Sequence, residues 1–151
     1  MSESSDFQEG LNFFLNKDYI KAEKCFIKAA KLGDPEAQFC LGDMHNNGYG
    51  VKKNEQKAVT FFRKSAEQRF TPSQINLGIM YSQGQGVEQN LIEAYKWLSI
   101  AGRAVDEEGG ELAVDEEGRE LLEVVEEQMT ESQIAEAVRL SKAWLKANQI
   151  I

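Results

Sequence analysis

The chain is poor in the residues that most often build reactive or cross-linked sites. Its 151 residues include one histidine, His45, and two cysteines, Cys25 and Cys40. Because a metal cluster or a catalytic triad would depend on that single histidine, the sequence predicts no catalytic, metal or cofactor site. Both cysteines fall at apolar positions of predicted helices. This placement favours small buried groups and indicates a reducing compartment.

Long apolar runs and a recognisable export signal are also missing. No run of 18 or more apolar residues occurs, and residues 1–6 lack the basic and hydrophobic regions of a secretory signal. We therefore expect a cytoplasmic protein that does not act on a membrane. The length suits a single domain, 1–151.

What the chain does contain is a 36-residue period. The pair Leu-Gly at 41–42 returns at 77–78, and Gly-x-Gly-Val at 48–51 returns at 84–87. A fixed period of this length in helical sequence is typical of stacked helix pairs, each of which buries its apolar face against its neighbours. The sequence therefore predicts an all-α fold built from repeats.

Each repeat carries the signals of a second helix. Apolar residues follow the i, i+3, i+4, i+7 spacing of one buried helix face. A side chain able to cap the helix N-terminus precedes each of these helices, namely Asp18, Asn54 and Asn90. The repeated glycines predict turns with positive φ angles. A phosphate-binding role for them is disfavoured, because no strand precedes them and no P-loop lysine follows.

These residues resemble the Sel-one-like repeat (SLR) family, a 36-residue relative of the tetratricopeptide repeat. The family pattern is A-x-x-x-L-G-x-x-Y-x-x-G-x-G-V, followed by a cap and K-A-x-x-W. Copies cover 35–70 and 71–102, with His45 at the usual tyrosine and Ser73 at a usual alanine. We expect His45 to pack between repeats, as that tyrosine does.

The resemblance implies a right-handed α-solenoid of about eight helices that ends in C-terminal capping helices. Residues 1–34 have an inter-helix loop four residues shorter and are similar to a tetratricopeptide repeat. Residues 103–151 are predicted to form an acidic connector and the capping helices, and their last part resembles a tail of bacterial members.

Acidic charge is concentrated in residues 103–131. This region holds 12 acidic and two basic residues, a net charge of −10, whereas the whole chain has −8. Part of it is a nonapeptide duplicated at 104–112 and 113–121, of which we expect the second copy to open a helix. The acidic region fits either a solvated face or a docking patch for a basic partner segment, and it disfavours nucleic acid as a partner.

A binding surface is predicted by resemblance to tetratricopeptide repeats, in which the first helix of each pair lines the inner curve. Amide side chains there can bind a peptide backbone, and apolar ones can hold its side chains. The predicted protein- or peptide-binding residues are Phe39, Asp43, Asn46, Asn47, Ile75, Ile79, Ser82, Gln83 and Phe14. In the first repeat, packing against a helix or a second copy is an equal alternative for Phe7, Leu11, Phe14 and Leu15.

The function predicted from these features is a non-enzymatic adaptor that binds a protein or an extended peptide in a concave groove. Two alternatives stay open. One is a hydrolase of the β-lactamase-like kind known among cysteine-rich relatives, although the paired cysteines of those relatives are missing here. The other is a self-assembling scaffold. The expected state is a monomer or a weakly self-associating chain.

Overall fold

Helices account for all regular structure in the described part of the chain. The computed structural model describes residues 5–102 and 116–150, and these ranges contain eight α-helices and no strand. The helices are α1 (Ser5–Leu15), α2 (Tyr19–Lys31), α3 (Pro35–Asn47), α4 (Glu55–Glu67), α5 (Thr71–Gln83), α6 (Leu91–Gly102), α7 (Glu116–Glu126) and α8 (Glu131–Ala147). The predicted all-α class is confirmed. The duplicated segment 104–112 lies outside the described residues.

The chain divides into two compact units. The N-terminal unit is Met1–Ser73 and the C-terminal unit is Gln74–Ile151. In the N-terminal unit α1 packs against α2, α3 packs against α4, and α2 also contacts α3. Together these helices enclose a core formed by Phe7, Ala22, Phe26, Ala29, Ala37, Leu41 and Met44.

Glycine lets the two helices of each pair approach closely. A β-carbon built on Gly10 would lie 2.8 Å from the ring of Phe26, and one on Gly42 would lie 2.7 Å from the ring of Phe62. In the C-terminal unit, a β-carbon on Gly78 would lie 2.7 Å from Leu98. The glycine of the first helix therefore receives a large side chain of the second helix, a contact that the sequence period marked without explaining.

The two last helices both pack against α6, as expected of capping helices. Trp97 of α6 is fully buried, and its ring meets that of Trp144 edge to face at 5.6 Å. Helix α8 buries one face completely, at Ala137, Ser141 and Leu145.

The predicted helix caps are present. Asp18, Asn54 and Asn90 accept hydrogen bonds from backbone N–H groups three residues ahead, at 3.3, 3.0 and 3.1 Å. Thr130 and Gln133 form a reciprocal capping box at the start of α8, with bonds of 3.2 and 2.9 Å. Each cap satisfies a donor that a helix N-terminus leaves without an intrahelical partner.

A pair of buried serines links α4 to both α3 and α5 in the N-terminal unit. The Ser65 hydroxyl donates to the Pro35 carbonyl oxygen at 2.8 Å, and the Ser73 hydroxyl donates to Ser65 Oγ at 2.7 Å. Neither serine is accessible to solvent. Ser73 stands where the family usually has alanine, and Ser65 accepts the hydrogen bond that its buried hydroxyl donates.

Candidate protein-binding surface

One face of α3 carries four of the predicted binding residues. Phe39, Asp43, Asn46 and Asn47 lie within about 100° around the helix axis. Asn47 is exposed, and the other three are half-buried. The amide nitrogen of Asn47 donates to the Asp43 carboxylate and to the Asp43 carbonyl oxygen, both at 2.9 Å. The α3 face therefore presents a fixed carboxylate and amide at a partly open surface.

Two opposing effects set the charge of Asp43. Burial raises the pKa of its carboxyl group, and the hydrogen bond from Asn47 lowers it. Burial is the larger effect, because water that would solvate the charged form is excluded. The carboxylate is thus easier to protonate than an exposed one.

The apolar end of the α3 face is Phe39. Its ring lies 5.8 Å from that of Phe62 and 5.5 Å from that of Phe70, the latter in an edge-to-face contact. These contacts hold one side of the ring against α4 while leaving the residue half-buried. Phe39 thus has a fixed position on the α3 face.

The equivalent face of α5 lies in the C-terminal unit. Ile75, Ile79 and Ser82 are half-buried and Gln83 is exposed, at the same spacing as the four residues of α3. The Ser82 hydroxyl donates to the Ile79 carbonyl oxygen of its own helix at 2.7 Å. A groove shared by the α3 and α5 faces stays a prediction.

Phe14 belongs to an aromatic cluster in the N-terminal unit. Its ring lies 5.2 Å from Tyr19, 5.7 Å from Tyr49 and 6.5 Å from Phe26. Tyr19 and Tyr49 stack on each other at 5.5 Å. The clearest sequence signal for this cluster is the tyrosine between Gly48 and Gly50, which the period alone did not single out.

The sole histidine has its ring contact within its own repeat, 35–70, whereas a position between repeats was predicted. The His45 ring stacks on Phe61 with centroids 5.6 Å apart and planes 10° apart. Its Nδ1 atom is buried and has no hydrogen-bond partner among the described residues. Burial lowers the pKa of His45, the positive charge of Lys57 lowers it further, and Glu23 opposes both.

We expect protonation of His45 to destabilise the fold. Because the folded-state pKa is lowered, stability is complete above the unfolded-state pKa of about 6.5 and is lost as pH falls from there toward the folded value. An NMR titration of the one imidazole should have its midpoint below about 6.5. Lys57→Gln should move the midpoint upward, and a midpoint at or above the ordinary value in the wild type would contradict the expectation.

The cysteine chemistry does not favour nucleophilic catalysis. Both cysteines are free and half-buried rather than fully buried. Burial and the nearby carboxylates Asp43, Glu36 and Asp34 raise the pKa of Cys40 to about 12. At neutral pH its thiol is therefore protonated, and a protonated thiol is a poor nucleophile.

The described ranges, 5–102 and 116–150, contain neither a cluster of metal-ligating side chains nor a helix suited to span a membrane. Within them, no three side chains of the types His, Cys, Asp or Glu converge as a metal site would require. None of their helices combines the length and the apolar character needed to cross a bilayer.

Comparison with known proteins identifies the repeats. The Sel1 repeat family model matches residues 7–34, 35–70 and 71–106. A protective antigen of uropathogenic Escherichia coli with an SLR fold is 33% identical and superposes with a TM-score of 0.81. The match covers 93% of this chain and 29% of the antigen.

A Sel1 repeat protein from Oxalobacter formigenes is also similar. It is 33% identical, with a TM-score of 0.61 over 64% of this chain and 40% of that protein. The chain thus spans well under half the length of either structure, and no curated protein matches it. On the three matched repeats and the shared fold, the chain belongs to the Sel1 repeat family.

Proposed function

We propose that this protein is a non-enzymatic adaptor whose α3 face binds an extended peptide or a peptide-like segment of another protein. Sel1 repeats are generally protein–protein interaction modules. The observation that carries the finer proposal is the pairing of Asn47 with Asp43. Asn47 is exposed and these bonds use its amide nitrogen, so its amide oxygen can accept from a peptide N–H group.

A peptide on this face would meet two kinds of contact. The Asp43 carboxylate and the Asn46 and Asn47 amides offer polar groups that recognise a backbone without regard to its sequence. Half-buried Phe39, held by Phe62 and Phe70, offers an apolar surface for a peptide side chain. In the C-terminal unit, Ile75, Ile79, Ser82 and Gln83 would supply the corresponding contacts.

We expect the double replacement Asn46→Arg with Asn47→Arg to raise the Kd for peptide by about tenfold or more, equivalent to ~1.4 kcal/mol. The larger side chains would fill the face and remove the amide oxygens, while leaving the helix intact because arginine is a good helix former. Peptides selected from a displayed random library on the wild-type protein would serve as probes. Their Kd values would be measured by fluorescence anisotropy.

The matched control places two arginines on α4, at the exposed residues Gln56 and Thr60. This variant adds the same charge and bulk, and it should keep wild-type affinity. Melting temperatures of both variants should stay near that of the wild type. Equal affinity of the α3 variant and the control, or selection of no peptide at all, would count against the α3 face.

We also propose that the module works in the cytoplasm. The support is the pair of free thiols, Cys25 and Cys40, because thiols persist in reducing compartments and tend to form disulfides in oxidising ones.

A further inference from the structure

The outer face of α2 carries a row of lysines. Lys21, Lys24, Lys28 and Lys31 follow the spacing i, i+3, i+7, i+10, which places them within about 80° around the helix. All four are exposed. We call this surface the lysine row.

Exposed apolar side chains border the lysine row at both ends. Ile20 is 66% exposed and Leu32 is 79% exposed. Single exposed apolar residues are ordinary on protein surfaces. Here, however, they flank a row of charge, so a partner that covered the row would also remove apolar surface from water.

A row of opposite charge lies on α7 in the C-terminal unit. Glu116, Glu120, Glu123 and Glu127 are exposed and fall within about 60° around the helix. Glu127 follows the last helical residue, yet its N–H group still bonds to the Glu123 carbonyl oxygen at 3.0 Å, so the helical path continues to it. Arg119 lies at one edge of this glutamate row, and Val124, 56% exposed, lies at the other.

The two rows match in length as well as in sign. At 1.5 Å per residue, the lysine row spans about 15 Å and the glutamate row about 16 Å. The two units also differ in net charge. The N-terminal unit has 11 basic and 10 acidic residues, a net charge of +1. The C-terminal unit has 6 basic and 15 acidic residues, a net charge of −9.

We propose that the lysine row of one molecule docks on the glutamate row of a second copy of the same chain. A docking patch for a basic partner segment is one of the two interpretations of the acidic region 103–131, and α7 lies in the described part of that region. Each molecule carries both halves of the contact, so the contact is head to tail and forms either a closed dimer or ring or an open chain. Contacts between two lysine rows or two glutamate rows are repulsive, which leaves the mixed pairing as the favourable one.

This self-association goes beyond the proposed peptide binding and uses other helices. Because exposed ion pairs are weak and screened by salt, we expect the association to be weak. Its association constant should fall about tenfold or more between ~20 mM and ~500 mM salt. Sedimentation velocity over a range of protein concentrations would measure it. A monomer at every concentration in low salt would overturn the proposal.

Charge-swap variants identify the surfaces. Lys24→Glu with Lys28→Glu should abolish self-association, and so should Glu120→Lys with Glu123→Lys in a separate variant. An equimolar mixture of the two variants should associate again, because the first variant keeps an intact glutamate row and the second keeps an intact lysine row. Circular dichroism would confirm that each variant is folded, and Lys24→Gln with Lys28→Gln would replace the first variant if it unfolds.

The matched control makes the same change in net charge outside the lysine row. Lys52→Glu with Lys64→Glu alters two exposed lysines outside the row and should keep wild-type association. Loss of association in this control, or no association in the mixture, would overturn the proposal. Salt-dependent compaction independent of concentration would also overturn it, because it would place the contact within one molecule. Peptide binding at the α3 face should be unaffected by the swaps, so the two proposals can fail separately.

Discussion

Replacement of Trp97 by alanine is expected to lower the free energy of unfolding by about 3–5 kcal/mol. Trp97 is fully buried in the C-terminal unit, where its ring meets Trp144 at 5.6 Å and the Lys96 ammonium lies 4.6 Å from the ring centroid. Alanine would leave a cavity among α6 and its neighbours that the packed helices cannot fill. Urea unfolding followed by circular dichroism would measure the loss.

Trp97→Phe separates packing from the polar part of the side chain. The indole Nε1 is buried and has no hydrogen-bond partner among the described residues, so phenylalanine removes an unsatisfied donor while retaining much of the ring. We therefore expect a smaller loss than for alanine. Equal losses in the two variants would contradict the view that the ring's volume provides the stability.

Replacement of Gly50 by alanine is expected to cost about 2–5 kcal/mol, the sum of a backbone and a steric penalty. Gly50 has a φ of 68°, a left-handed conformation that disfavours a β-carbon. A β-carbon there would also overlap the β-carbon of Tyr19 and lie 3.3 Å from Tyr19 backbone atoms, which have little freedom to move at the start of α2.

Gly33→Ala is the matched control for Gly50→Ala in the same unit. Gly33 has a φ of 86°, but a β-carbon there would meet no atom within 4 Å. Only the backbone penalty of about 1–2 kcal/mol should remain. Denaturant unfolding of the two variants should therefore differ, and similar losses would show that the Tyr19 contact relaxes at little cost.

The features predicted well from the sequence are those determined over a few residues. An N-cap such as Asn54 needs only a helix that starts at the next residue, and a left-handed glycine such as Gly48 needs only its own turn. The 36-residue period was enough to predict the helix pairs. In the structure, Phe62 packs against Gly42, and Leu98 packs against Gly78 at the equivalent position of the next repeat. Local chemistry and repetition were sufficient for these elements.

The features that the sequence did not predict depend on side chains from distant positions. The exposure of Phe39 is set by Phe62 and Phe70, which belong to α4 and the following turn. The cluster of Phe14, Tyr19 and Tyr49 joins three segments whose rings meet only after α1 to α3 have packed. Whether a predicted binding position is open or filled therefore follows from packing rather than from its place in the period.

The serine link between α4 and its two neighbours constrains how this gene can change in length. One residue inserted within α5 between Ser73 and the buried Leu77 would rotate Ser73 by about 100° relative to Leu77 and separate its hydroxyl from Ser65. A buried hydroxyl left without a partner costs about 1–3 kcal/mol, so such an insertion would be selected against. Stereochemistry can in this way preserve the length of a repeat long after the amino acids of its copies have diverged.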